Sequence, residues 1–132
     1  MGFHISTASR APIYQQLAQQ IREAIARGEL QPDAGLPSVR QLSRELVINP
    51  NTVARAYTEL EREGLLVSRP GRGIYVAQPR NDLTRAARDR RLIEQLDRWL
   101  TEAVHLGYSA EEVRRLVAQR VREFHWQTED AA

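Results

Sequence analysis

The sequence contains no cysteine, no lysine and no long apolar run. Its 132 residues carry 19 basic side chains, all of them arginine, against 17 acidic ones, for a formal net charge of +2. The absence of cysteine excludes disulfide frameworks and thiolate metal sites. No segment approaches the roughly 18 consecutive apolar residues of a membrane span, and residues 1–11 lack a signal-peptide pattern. We therefore expect a cytoplasmic protein without a membrane partner.

The sequence also lacks the residue patterns of an enzyme. It has no paired nucleophile and base, no histidine and carboxylate spacing typical of a metal site, and no phosphate-binding loop. Gly71 and Gly73 lie between two short strand-forming runs, whereas a nucleotide loop joins a strand to a helix. We predict no catalytic residue, no cofactor and no metal site.

Turn-forming residues are scarce in the last 52 residues of the chain. All six prolines and six of the seven glycines precede residue 81. This shift places a boundary near Gln78–Pro79–Arg80. We predict one domain over residues 1–78, with several turns, and a nearly continuous helical region over residues 79–132.

Three helices are predicted in the first domain from their start and stop signals. A first-turn proline or a capping side chain begins each of them: Pro12, then Ser38 with Gln41, then Asn49 with Pro50. Gly28 and Gly64 end the first and third. Two short β-favouring runs, residues 65–68 and 74–77, then flank the turn at 69–73 and predict a β-hairpin. Helix, helix, tight turn, helix and hairpin is the order of a winged helix-turn-helix domain.

The third predicted helix carries a polar face beside its apolar stripe. Asn51, Thr52 and Arg55 lie away from the expected core positions Val53, Ala56, Tyr57 and Leu60. Amide, hydroxyl and guanidinium groups read base edges and bind phosphates. Glutamates crowd only the far end of the helix, where they would stay clear of phosphates: Glu59, Glu61 and Glu63. An ordinary solvated helix face fits the same pattern.

Two further arginine pairs suit the same geometry. Arg40 and Arg44 lie one turn apart on the second helix, which crosses the DNA backbone in this class of domain. Arg69 and Arg72 flank the hairpin tip, from which an arginine can enter a minor groove. The alternative for both pairs is solvation at the surface.

Several motifs occur in order along residues 11–77: P-I-Y-x-Q-L at 12–17, G-E-L-x-P at 28–32, L-P-S-V-R-x-L at 36–42, N-P-N-T-V-x-R-A-Y at 49–57, L-E-x-E-G-L at 60–65 and R-x-G-x-G-x-Y-V at 69–76. This set closely resembles the N-terminal domain of GntR-family bacterial transcription regulators, specifically the short YtrA-like branch. The resemblance implies a double-stranded DNA operator as partner, contacted by Arg40, Asn49, Asn51, Thr52, Arg55, Gly71 and Arg72. With Arg44 and Arg69, these residues form the predicted DNA-binding set. Other relatives carry arginines where Pro50 and Ala54 stand, so we do not expect this chain to bind the operator sequences that those relatives bind.

The region after residue 79 is predicted to form a helical hairpin. Apolar residues spaced four and three apart make a short heptad-like seam, which Ile93 and Leu100 widen, and Gly107 ends that helix. Ser109 and Glu112 form a capping box that opens a second helix, with inward positions at Ala110, Val113, Leu116, Val117, Val121 and Phe124.

Two amphipathic helices cannot bury both of their apolar faces alone, so we expect a second copy to cover them. The resemblance likewise implies a homodimer. The predicted interface is Leu92, Ile93, Leu96, Trp99, Leu100, Ala103, Val113, Val117, Val121 and Phe124. Packing back on the first domain is the alternative.

The predicted fold class is therefore mostly α with a small β-hairpin: a winged helix-turn-helix followed by a C-terminal helical hairpin. The predicted function is a sequence-specific DNA-binding transcription regulator, a dimeric repressor on a palindromic operator. The alternative is a winged-helix module that binds proteins without reading DNA sequence. A small-molecule effector stays open as a further partner.

Overall fold

The computed structural model describes residues 2–79 and 84–126. Within them the chain forms five helices and one hairpin, in the order α1 (Ile13–Ala26), α2 (Val39–Leu46), α3 (Pro50–Arg62), β1 (Leu66–Arg69), β2 (Gly73–Val76), α4 (Arg85–His105) and α5 (Ala110–Val121). The predicted fold class is confirmed. The described residues separate into two compact units, one of residues 2–79 with 125–126 and one of residues 84–124.

Capping side chains begin α2 and α3 as predicted. The Ser38 hydroxyl accepts from the Gln41 backbone N–H at 3.1 Å, and the Gln41 side chain accepts from the Ser38 N–H at 3.0 Å. The Asn49 side chain accepts from the Asn51 N–H at 2.8 Å, with Pro50 at the first helical position. The predicted start of α1 at Pro12 is wrong by one residue, because the ψ of 148° at Pro12 is extended and the helix begins at Ile13.

The core of the first unit lies where α1, α2, α3 and the hairpin meet. The apolar stripe predicted on α3 is fully buried, and it packs with Leu17 and Ile21 of α1 and Leu42 of α2. The buried Tyr57 phenol donates to the Pro37 carbonyl at 2.7 Å. This packing holds α3 by one face and leaves its opposite face to solvent.

The hairpin is part of a wider hydrogen-bonded surface than the sequence predicts. Its two strands pair antiparallel from Leu66 with Val76 to Arg69 with Gly73, one residue off the predicted limits at each end. The segment between α1 and α2 runs beside β2, with Asp33 N–H donating to the Val76 carbonyl and Val76 N–H to the Ala34 carbonyl, both at 2.9 Å. A two-stranded hairpin alone is only marginally stable in water. The backbone hydrogen bonds from the connector to β2 therefore stabilise the wing.

The N-terminal segment lies along α1, which the sequence did not predict. Phe3 and Ile5 pack against the core. The Gln20 side chain bonds the backbone of His4 in both directions, at 2.8 and 2.6 Å, and the Gln16 side chain does the same for Ser6, at 2.9 Å each. These glutamines therefore anchor the segment through its peptide groups.

The second unit is a helical hairpin whose turn is as predicted, with Gly107 at a φ of +87° and a complete capping box at Ser109 and Glu112. The predicted inward positions of α5 are only partly covered. Within one chain Ala110, Val117 and Val121 are exposed, and no residue of α5 is fully buried. Val113, Leu116 and Phe124 are half-buried, so three of the six predicted inward positions are partly covered within one chain. The other three are not, because two helices enclose too little volume to cover both apolar stripes.

Candidate nucleic-acid interface

The exposed face of α3 begins with polar side chains. Asn51 and Arg55 are exposed and Thr52 is half-buried. The oxygen of the Asn49 side chain is used by the cap, which leaves its amide N–H groups as donors. The first two turns of α3 therefore present hydrogen-bonding groups of the kind that read base edges.

Arg55 rests on an aromatic ring of α1. Its guanidinium carbon lies 3.8 Å from the centroid of the Tyr14 ring, and its Nη2 donates to the Tyr14 hydroxyl at 3.2 Å. The side chain makes no ion pair with any described residue. Arg55 is thus oriented without being neutralised.

Arg40 and Arg44 are both exposed on α2, one helical turn apart. Arg40 follows the Ser38 cap by two residues, so it stands at the start of the helix. No described residue forms a salt bridge with either of them. Both guanidinium groups keep their full set of donors for an external anion such as phosphate.

Arg69 and Arg72 differ in the wing. Arg69 Nη2 donates to Asp33 Oδ1 at 2.8 Å, and its guanidinium carbon lies 4.4 Å from the centroid of the Tyr75 ring. Arg72 is exposed and forms no salt bridge among the described residues, while its carbonyl accepts from the Tyr75 hydroxyl at 2.9 Å. Arg69, predicted from the sequence to bind DNA, is therefore engaged by Asp33 of the connector and by Tyr75 of β2, whereas Arg72 makes no such pair at the tip.

Gly71 forms the tip itself, with a φ of +74°. This left-handed conformation favours glycine because a Cβ there would crowd the backbone. The Arg72 N–H donates to the Arg69 carbonyl at 2.9 Å and closes the turn. The tip is consequently narrow, with Arg72 as its projecting side chain.

The glutamates at the far end of α3 are used within the unit. Glu63 accepts from Arg22 Nε at 2.7 Å and from Nη2 at 2.6 Å, and this bond raises the pKa of Arg22. Glu59 pairs with Arg62, and Glu61 accepts from the Ser68 hydroxyl at 2.8 Å. Two of these three acidic charges are thus compensated by arginines, while Arg55 near the other end of α3 makes no ion pair with any described residue.

The sequence did not reveal Tyr14, Asp33 and Tyr75, which orient Arg55 and Arg69. Tyr14 and Tyr75 lie inside the motifs at residues 12–17 and 69–76, but nothing local in the sequence pairs them with Arg55 or Arg69. Asp33 lies in the connector between α1 and α2, 36 residues from Arg69. Contacts so distant along the chain depend on the assembled fold.

Comparison with known proteins decides the family. Residues 13–76 match the family described as bacterial regulatory proteins, gntR family. The chain is also 35% identical over 115 residues to the HTH-type transcriptional repressor YtrA of Bacillus subtilis, covering 87% of this chain and 88% of that protein. The chain belongs to the gntR family of bacterial regulatory proteins. The match along most of YtrA confirms the resemblance to the short YtrA-like branch of that family.

Solved structures extend the likeness to both units and to a domain that is bound to DNA. A transcriptional antiterminator from Listeria monocytogenes superposes with a TM-score of 0.79 at 29% identity, covering 97% of this chain and 96% of that one. The DNA-binding domain of AraR, solved in complex with its operator ORE1, matches 58% of this chain with a TM-score of 0.50 at 27% identity, over 94% of that domain. The chain is a DNA-binding transcription regulator of the gntR family, and not an enzyme.

No helix in the described residues is both long and apolar enough to cross a membrane. Over the same residues, no three histidine, aspartate or glutamate side chains come together as they would around a metal ion.

Proposed function

We propose that this gntR-family regulator is a homodimeric repressor that acts in the cytoplasm by occupying a two-fold symmetric operator. The observation that carries the proposal is the uneven compensation of charge on the first unit. Arg40, Arg44 and Arg72 make no salt bridge with any described residue, whereas the glutamates of α3 are all paired or hydrogen-bonded. A surface arranged this way attracts a polyanion to one side of the domain.

The proposed contacts divide into two kinds. Arg40, Arg44 and Arg72 bind the backbone or the minor groove, where charge and reach matter more than shape. Asn51, Thr52 and Arg55 meet base edges from the first turns of α3 in the major groove, and Asn49 and Gly71 approach the backbone beside them. Arg69 stabilises the wing through Asp33 and Tyr75 and is not one of the proposed DNA contacts.

The second unit supports a homodimer through α4 and α5. Leu92 and Leu96 are 65% and 47% exposed, and Trp99 is exposed beside them, whereas Leu100 and Val113 are half-buried and Ala103 is buried. Such a contiguous apolar surface needs a partner. A second copy is the occupant we propose, because a two-fold protein matches a palindromic operator with half-sites about 34–36 Å apart.

Repression is proposed from the relatives, which include proteins named as repressors. A repressor of this size acts by excluding other proteins from the site it covers. A small-molecule effector remains a prediction, for which a recess of about 460 Å³ lined by Leu100, Val104 and Tyr108 has a suitable volume.

The DNA contacts can be tested with alanine variants compared at several salt concentrations. Arg40→Ala should weaken binding to all duplexes alike and make the salt slope shallower by about 1, as expected for one lost phosphate contact. Arg55→Ala should instead weaken binding to the preferred sequence most. Arg114→Ala is the matched control, since it removes one exposed arginine of the second unit, paired there with Glu111. Equal effects of all three variants would contradict the proposed interface.

A further inference from the structure

We propose that Tyr14 of α1 is a positioning residue for DNA readout, because its ring holds the Arg55 guanidinium in a fixed plane without neutralising its charge. This inference rests on the proposed role of Arg55 at base edges. Tyr14 is not required to touch DNA itself.

The contact has the geometry of a cation–π pair reinforced by a hydrogen bond. The guanidinium carbon stands 3.8 Å from the ring centroid, and Nη2 donates to the hydroxyl oxygen at 3.2 Å. Gln15 Nε2 donates to the same oxygen at 3.1 Å. Tyr14 is half-buried and packs against the core, so the ring has a firm base.

The choice of support distinguishes Arg55 from the other arginines held within this unit. Arg62, on the same helix, is bound by the carboxylate of Glu59, and Arg69 by that of Asp33. A carboxylate cancels the charge that would attract DNA, whereas an aromatic ring does not. Arg55 is the arginine of α3 that keeps both a defined orientation and an uncompensated charge.

A guanidinium held over a ring is also ready for bidentate recognition. Arginine carries five N–H donors in a rigid plane, and Tyr14 uses one of them. The remaining edge can donate two parallel hydrogen bonds to guanine O6 and N7. Because the plane is set before DNA arrives, less side-chain entropy is lost on binding.

The test is a double-mutant cycle on DNA binding, using the duplex that the wild-type protein selects from random DNA and a scrambled duplex of equal length. The readout is the ratio of the two affinities. Arg55→Ala should lower this ratio by about fivefold or more. Tyr14→Leu, which keeps apolar volume but removes the ring, should lower it by about two- to fivefold. The double variant should match Arg55→Ala alone, because without Arg55 the ring has nothing to orient.

Two conservative variants separate positioning from a general loss of structure. Tyr14→Phe keeps the ring and should retain most of the preference. Arg55→Lys keeps the charge but lacks the planar guanidinium that the ring would orient. In this background, adding Tyr14→Leu should therefore change the ratio of the two DNA affinities only slightly. In the free protein, the Arg55 Nε–Hε NMR signal should carry a ring-current shift that Tyr14→Leu abolishes, which reports the contact even if that variant is less stable.

Three results would overturn the inference in distinguishable ways. Additive effects of Tyr14→Leu and Arg55→Ala would mean that Tyr14 acts independently of Arg55. A higher affinity ratio in Tyr14→Leu would mean that the ring withholds Arg55 from DNA. An unchanged ratio in Arg55→Ala would refute the proposed DNA contact of Arg55, and the inference with it.

Discussion

Asp33 and Arg69 join the connector before α2 to the last residue of β1 in the wing, through a salt bridge of 2.8 Å between residues 36 positions apart. Gln78 Nε2 donates to the other carboxylate oxygen of Asp33, also at 2.8 Å. Asp33 itself has a left-handed φ of +69°, a conformation that aspartate and asparagine tolerate better than most residues. The wing is thereby tied to the helical core by side chains as well as by its backbone.

The Asp33 link can be tested with Asp33→Asn, which keeps the shape and the tolerance for positive φ but removes the charge. We expect hydrogen exchange of the β1 and β2 amides to accelerate by about two- to fivefold, the range of an exposed ion pair. Arg69→Ala should have the same effect, and the double variant should add little. If Arg69 were a DNA ligand restrained by Asp33, Asp33→Asn would bind DNA more tightly while Arg69→Ala bound it less tightly.

Replacing Val47, in the turn before α3, should stabilise the folded protein. It has a φ of +54° and is 88% exposed, so a β-branched side chain is held in the left-handed region without packing to compensate. Val47→Gly should raise the free energy of unfolding by roughly 0.5–1 kcal/mol, after the entropy cost of glycine is subtracted. Urea unfolding measures the change.

A control for Val47 exists on α4. Val104 is also exposed, at 71%, but it lies within a helix, where glycine is the poorer residue. Val104→Gly should therefore destabilise the protein. Destabilisation by Val47→Gly would contradict the account of strain at this turn.

Introducing a charge into the apolar seam of α4 should dissociate the proposed dimer into monomers. Leu96→Glu would bury a carboxylate in the proposed interface, so sedimentation velocity should show monomers at concentrations where the wild type is dimeric. Thr101→Glu places the same charge on the opposite, exposed face of the helix and should leave the dimer intact. A monomeric wild type, or equal behaviour of the two variants, would contradict the interface.

The capping box of α5 predicts a pH dependence. The Ser109 N–H donates to the Glu112 carboxylate at 2.9 Å, and this bond lowers the pKa of Glu112 from its ordinary value of 4.5. Because the folded pKa is the lower one, the cap stabilises α5 above pH 4.5 and this stabilisation is lost as the pH falls through the folded value.

Carbon chemical shifts of α5 followed from pH 7 to pH 3 measure its helicity. The first turn should lose helicity at the acid end of this range, and Glu112→Ala should remove that step. Glu111→Ala, beside it and outside the cap, should retain the step. A loss of helicity as the pH rises would contradict the stabilising role of the Glu112 carboxylate.

Much of the fold follows from local signals in the sequence. The side chains that begin α2, α3 and α5 bond backbone groups two or three residues away, so their pattern is visible in the sequence. The apolar stripe of α3 is likewise periodic, and its burial was predicted residue by residue. Pro12 shows the limit of such signals, since a proline suits both the cap and the first turn.

The contacts that orient the arginines could not be predicted in this way. Arg55 meets Tyr14 across 41 residues, and Arg69 meets Asp33 across 36. Each pair depends on how whole elements pack, which the sequence does not encode as a local pattern. The exposed apolar positions of α5 show a second limit, because an apolar stripe indicates that a surface is to be covered without indicating by which chain.

The most direct measurement is a selection of bound sequences from random duplex DNA at near-physiological salt. We expect an enriched inverted repeat whose half-sites lie about one helical turn, roughly 34–36 Å, apart, bound by two copies of the chain. Enrichment of a single half-site would contradict the dimer. No enrichment at all would contradict sequence readout by α3 and favour a winged helix that binds other proteins.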